Sequence, residues 1–172
     1  VLNNVADVQL SGIGAADFFG TSVSGDLDVN GDGFRDVIVG ARQNDNGGTN
    51  SGCAYIFYGG MSVNSIPDAV LSANIPNDLF GFCVASAGDV NRDGLGDIIV
   101  GVPYNDQNGT DAGKAWLYTN TRNRTPLPIA SFSGPGGFDY FGLKCSDAGD
   151  LNGDGYGDVM ATSINYEQVY VY

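Results

Sequence analysis

An all-β chain of repeated four-stranded units, the blades of a β-propeller, is predicted by three observations. Phe19-Gly20, Phe80-Gly81 and Phe141-Gly142 lie 61 residues apart, so the chain repeats itself. Each repeat carries one acidic turn of the form Asp-x-Asn-x-Asp-Gly, opening at Asp28, Asp89 and Asp150 on the same period. Behind each turn runs a short apolar stretch such as Val37-Ile38-Val39, which reads as a strand buried on both faces. Composition agrees. Among 172 residues there are 27 Gly and a single Glu, Glu167, with Asn and Asp plentiful, which describes tight turns joining short strands.

Each repeat holds four β-like segments in a fixed order. In the second repeat these are 69–72, then 82–87 after the Phe-Gly pair, then 97–101, then 114–118. The register extends to Leu10-Ser11, Leu71-Ser72 and Phe132-Ser133, and to Ala54-Tyr55-Ile56-Phe57 and Ala115-Trp116-Leu117-Tyr118. The third copy of that last segment, Val169 to Tyr172, arrives early because its preceding loop is shorter. Repeats at about 8–58, 69–118 and 130–172 follow, as one domain, with 59–69 and 119–128 as Gly-, Pro-, Asn- and Ser-rich connecting loops. Four strands per repeat is the unit of a blade whose sheet buries both faces against its neighbours.

A formal net charge of -13 and a pI near 4.1 argue against nucleic acid and anionic membrane as partners, since either needs a basic face, and fit cation binding. No apolar run reaches the length of a bilayer span, and the N-terminus lacks the regions of a signal peptide, so the chain reads as soluble and as mature or excised. Three cysteines, Cys53, Cys83 and Cys145, are too few and too scattered for a disulfide framework or a zinc site; one bridge stays open. With no His, the Ser-His-Asp and Cys-His arrangements are unavailable. Nine of the twenty acidic residues fall in the repeated turns, which leaves no obvious acid/base pair for glycoside hydrolysis. The chain therefore reads as no enzyme.

The turns read as calcium loops. A hard divalent ion takes six to eight oxygens at roughly 2.3–2.6 Å, and a tight turn supplies them from alternate side chains plus one backbone carbonyl. The first set is Asp28, Asn30, Asp32, the Phe34 carbonyl and Asp36; the second Asp89, Asn91, Asp93, the Leu95 carbonyl and Asp97; the third Asp150, Asn152, Asp154, the Tyr156 carbonyl and Asp158. Three ions per chain are expected. Unlike an EF-hand, the last carboxylate comes early and leads into a strand. The plainer reading is that Asp, Asn and Gly simply make good turns, but three copies, each completed by a fourth acid, favour the ion. Magnesium prefers a compact octahedron that keeps waters.

Other features weigh less. Tyr55, Phe57, Tyr58, Trp116, Tyr118, Tyr170 and Tyr172 form either a sugar-binding platform or, as their place in recurring strands favours, blade core. Asn108-Gly-Thr110 and Asn123-Arg-Thr125 match the N-glycosylation pattern. Arg92-Asp93-Gly94 belongs to an acidic loop and is not an adhesion tripeptide, and Arg122 and Arg124 make a small solvated basic spot.

Phe80-Gly81, the loop Asp89 to Asp97 and the following Ile98-Ile99-Val100-Gly101-Val102-Pro103 resemble the Phe-Gly and Gly-Ala-Pro repeat of integrin α-subunit propellers, also seen in secreted bacterial and fungal propellers. The first and third copies depart from it, with Gly40-Ala41-Arg42 and Ala161-Thr162-Ser163. The resemblance implies a calcium-stabilised, extracellular binding or adhesion module, lectin-like or integrin-like, that recognises a protein or glycan ligand through loops such as 42–52 and 103–113. The alternatives are a structural self-assembling repeat protein and a non-catalytic accessory module of a secreted enzyme. Three repeats leave two open ends, and propellers close with four to eight blades. By the resemblance, Val8 to Ser11 is the outer strand of a blade that its own repeat does not complete. A head-to-tail homodimer closing a six-bladed ring is the expectation, with a filament or a piece of a longer propeller as competing outcomes.

Overall fold

The computed structural model describes residues 5–120 and 126–172, which form eleven strands and no helix. The first sheet has the order β1 (Phe19–Leu27), β2 (Asp36–Ala41), β3 (Cys53–Phe57) and β4 (Ala69–Leu71). The second repeats it with β5 (Cys83–Gly88), β6 (Asp97–Val102), β7 (Lys114–Thr119) and β8 (Leu127–Ser133). The third has three strands, β9 (Cys145–Gly149), β10 (Asp158–Ser163) and β11 (Gln168–Val171). Every pairing is antiparallel, as hairpin-joined blades require.

Sequence repeats and sheets are offset by one strand. The segment that opens the second repeat, Ala69–Leu71, edges the first sheet, and β8 likewise edges the second. Val8 to Ser11, expected as a β-like segment, forms no strand. Leu10 packs instead against a cluster holding Val39, Tyr55 and Phe57. The connecting loop expected over 119–128 is also shorter at both ends, since β7 runs to Thr119 and β8 begins at Leu127. Pro128 is tolerated there because β8 is an edge and its ladder slips beside it.

Alternation along the central strands fills both faces of each sheet. Ile98, Val100 and Val102 of β6 join Ile38, Ala54 and Ile56 between the first two sheets, while Ile99, Ala115 and Leu117 meet Val159 and Ala161 between the second and third. Tyr55, Phe57, Tyr58 and Tyr118 are buried, which favours blade core over a sugar platform for these rings. Val169 and Val171 of β11 hold the places that Ala54 and Ile56 hold in β3, yet they are 60% and 44% exposed. That side of the third sheet is uncovered.

Junctions between blades depend on absent side chains. A Cβ on Gly40 would overlap the Gly81 carbonyl, and one on Gly52 the Phe80 carbonyl. Gly101 and Gly113 are blocked in the same way by Gly142 and Phe141. The Phe-Gly turn of one blade thus lies against two glycines of the blade before, joined by the bridges Gly52 to Phe80 and Gly113 to Phe141. In the third sheet the ladder puts Thr162 and Glu167 at these two places. Nearer the axis, the Ser22 and Ser24 hydroxyls accept the N–H of Val84 and Ser86 at 3.0 and 3.1 Å, so side chains bridge inner strands that share no ladder. Gly101→Ala is expected to lower stability by about 3 kcal/mol through overpacking, while Gly25→Ala, where a Cβ meets nothing within 4 Å, changes it by less than about 0.5 kcal/mol; paired urea melts check both.

Candidate functional site

The acidic turns join β1 to β2, β5 to β6 and β9 to β10, so all three lie at the same end of successive blades. Each turn is held by its own first aspartate. Asp28 accepts the N–H of Gly31 at 2.7 Å and of Gly33 at 2.8 Å; Asp89 accepts Gly94, and Asp150 accepts Gly153 and Gly155. The third-position acids Asp32, Asp93 and Asp154 accept the N–H two residues on, from Phe34, Leu95 and Tyr156, while the Asn30, Asn91 and Asn152 side-chain oxygens accept the N–H of those acids. Gly33 and Gly94 turn with φ of +89° and +83°, where a Cβ is strained.

The fourth carboxylate stands apart from the others. Asp36, Asp97 and Asp158 are buried at the first position of β2, β6 and β10. There they accept the N–H of Val29, Val90 and Leu151 at 2.7, 2.9 and 2.8 Å, closing each loop on itself. Asp36 takes a second N–H from Gly59 at 2.7 Å, and burial raises its pKa against these bonds. Burial pushes Asp97 up to about 6. Its Oδ1 is buried without a hydrogen bond of good geometry, although the Thr119 hydroxyl and the Asn120 amide lie close enough to favour its charge.

Among the described residues no group of three or more carboxylates or thiols converges on a metal position. The loop acids bend toward the loop's own N–H groups instead. The donor set nevertheless fits a hard divalent cation in kind: all side-chain donors are oxygens, carboxylate oxygens keep lone pairs beyond these amide bonds, and the second loop has the orphaned buried Asp97 Oδ1. Between the first two loops lies a cleft of about 500 Å³ lined by Asp28, Asn30, Asp93 and Leu95 among others.

The opposite end of the blades has different chemistry. Residues beside the Phe-Gly turns and after the second strand of each sheet gather there. Arg42 lies 4.6 Å over the Phe18 ring and 5.3 Å over the Phe82 ring; Phe82 meets Tyr104 at 6.4 Å, and Tyr104 meets Tyr140 at 5.4 Å. One row of rings, with a cation stacked between two of them, thus crosses three blades.

These features are matched in known proteins. The family model described as FG-GAP repeat matches residues 19–57 and 84–118. The chain is built of FG-GAP repeats. It is 29% identical to Integrin alpha-5 of Xenopus laevis over 174 residues, covering 95% of this chain and 16% of that protein. It is 31% identical to Integrin alpha-6 of Homo sapiens over 158 residues, covering 90% and 13%, and 31% identical to Integrin alpha-PS3 of Drosophila melanogaster over 164 residues, covering 91% and 14%. The chain therefore spans about one seventh of the length of these relatives.

Each FG-GAP turn also carries a buried acid that the sequence reading passed over. Asp17 and Asp78 accept the Asn44 and Asn105 amide N–H at 2.6 Å, and Asp139 accepts the Ser163 hydroxyl at 2.6 Å. Their 61-residue spacing, two places before each Phe-Gly, was the available signal. Arg92, alone among its equivalents Gly31 and Gly153 in having a side chain, reaches the third loop: it donates to the Gly155 and Asp154 carbonyls at 2.5 and 2.6 Å and lies 4.2 Å over the Tyr156 ring. Asn108 of the first sequon donates to the Gly134 carbonyl at 3.3 Å; Asn123, Arg122 and Arg124 lie outside the described residues.

Asp36→Asn tests the buried clamp. The variant can accept only one of the two amide bonds and is expected to lose about 2 kcal/mol in EGTA as well as in calcium, read by thermal melts in both buffers.

Proposed function

We propose that this FG-GAP chain is a calcium-stabilised, extracellular binding module of the adhesion type, without catalysis of its own. The observation that carries the reading is one acidic loop, complete with its buried fourth carboxylate, repeated at the same end of three successive blades. The ions would be held by Asp28, Asn30, Asp32, Phe34 and Asp36, by Asp89, Asn91, Asp93, Leu95 and Asp97, and by Asp150, Asn152, Asp154, Tyr156 and Asp158. Phe34, Leu95 and Tyr156 act through their carbonyls. Bound calcium would offset the repulsion of three acids in one turn. The similarity to proteins named integrins supports a protein or glycan ligand and a cell-surface or secreted setting. The ring row at the far end, with Arg42 between Phe18 and Phe82, supplies flat apolar area for such a ligand. No helix among the described residues is long and apolar enough to cross a membrane.

Calcium removal is the direct test. A ligand that binds only the folded chain stabilises it by about 2.7 kcal/mol per site at a hundredfold excess over Kd. The melting temperature is expected to fall in EGTA and return with calcium, and Asp93→Ala is expected to titrate one ion fewer than the parent's three. An unchanged melt in protein shown to be metal-free overturns the reading.

A second reading, self-association, is favoured by the uncovered side of the third sheet, where Val169 and Val171 are exposed. A head-to-tail ring with junctions like those between its own blades would set a Phe-Gly turn against Thr162 and Glu167 in place of two glycines, which weighs against it. Light scattering at micromolar concentration is expected to give the single-chain mass. A discrete two-chain mass would restore the six-bladed ring, and growing polymers the filament.

A further inference from the structure

Cys83 and Cys145 meet across the junction between the second and third sheets. The Cys83 sulfur accepts the Cys145 N–H at 3.2 Å, and its thiol lies 3.5 Å from the Cys145 carbonyl. Ser22 makes the same two contacts to Val84 at the preceding junction, at 3.0 and 3.3 Å. Cys83 therefore sits where Ser22 sits, and Cys145 where Val84 sits, the two seats of one repeated cross-blade pair. Because the Cys83 sulfur already touches the Cys145 main chain, turning the Cys145 side chain from the Ile99 carbonyl, 3.9 Å away, carries its sulfur toward Cys83.

We propose that Cys83 and Cys145 are an oxidisable pair, which a small two-electron oxidant of the peroxide class converts into a disulfide joining the second blade to the third. The Cys145 thiol beside it lowers the Cys83 pKa against the effect of burial, with the Cys145 N–H and the Lys144 charge adding to the lowering. Cys83, whose sulfur takes the Cys145 N–H, is the attacking sulfur and Cys145 the resolving one. The Cys83 thiolate attacks one peroxide oxygen, the O–O bond breaks, and the leaving hydroxide takes a proton to become water. Cys145 then attacks the sulfenic sulfur, the S–O bond breaks, and a second water leaves. Two thiols and one peroxide give one disulfide and two waters, so no further reactant is needed. Cys53, the remaining buried cysteine, lies in the cluster behind the first sheet, where burial pushes its thiol up to about 11.

The test treats the reduced chain with one equivalent of hydrogen peroxide, alkylates it in denaturant and weighs it. Expected are a single alkylated cysteine, Cys53, in place of three, a Cys83–Cys145 linked peptide in a non-reducing map, and a melting temperature raised until dithiothreitol is added. Cys83→Ser, which copies the Ser22 seat, is expected to leave both remaining thiols alkylatable, and Cys53→Ser to leave the link intact. Three alkylated cysteines in folded, peroxide-treated protein, a link to Cys53, or sulfinate on Cys83 beside free Cys145 would overturn the proposal. None of these readouts involves calcium, so its failure is separable from that of the proposed function.

Discussion

The Phe-Gly turn of each blade is pressed so closely on the sheet before it that Gly40 and Gly52, and again Gly101 and Gly113, have no room for a Cβ. This approach sets the spacing of the blades, and other features depend on it. It brings Phe80 and Phe141 wholly inside the array, where they anchor the apolar clusters on either side of the second sheet. It also aligns the inner strands closely enough for Ser22 and Cys83 to reach the next strand's main chain. Glycine is required here for what it lacks, and Gly81 and Gly142 additionally turn with φ of +80° and +81°.

Two sets of buried aspartates divide the labour at the ends of the blades. Asp36, Asp97 and Asp158 close the acidic loops at one end; Asp17, Asp78 and Asp139 hold the turns beside the ring row at the other. A buried carboxylate is costly unless its oxygens are met, and at most of these sites a main-chain or side-chain donor meets them. Asp97 Oδ1 and Asp139 Oδ2 are the exceptions. Loops fixed in this way can gather further acids at their tips, with Asp28 and Asp32 bound into the turn rather than repelling each other in solvent.

Periodicity carried most of the fold into the sequence, because every blade solves the same packing problem with the same residues. The strands, the two-sided burial of Val37 to Val39 and its copies, and the place of the acidic turns were all readable. The direction of Asp36 was not: spacing alone cannot distinguish an oxygen facing an ion from one facing the Val29 amide. The cysteine contact was hidden by a single residue, since Cys83 and Cys145 are 62 apart on a 61-residue period and so occupy different seats of the pair. The absence of a strand at Val8 to Ser11 was equally hidden, because a strand's existence depends on the partner edge as well as on its own residues.

The blades touch in chain order, β1 beside β5 and β5 beside β9, so cohesion runs along one line. In such an array the free energy is close to a sum of single-blade terms and junction terms. The middle sheet is clasped by two junctions and by apolar clusters on both faces, while the third has one junction, three strands and one bare face. A covalent stitch where Cys83 faces Cys145 would add a cross-link to the packing between the second and third sheets, so that these two neighbours open together rather than one after the other.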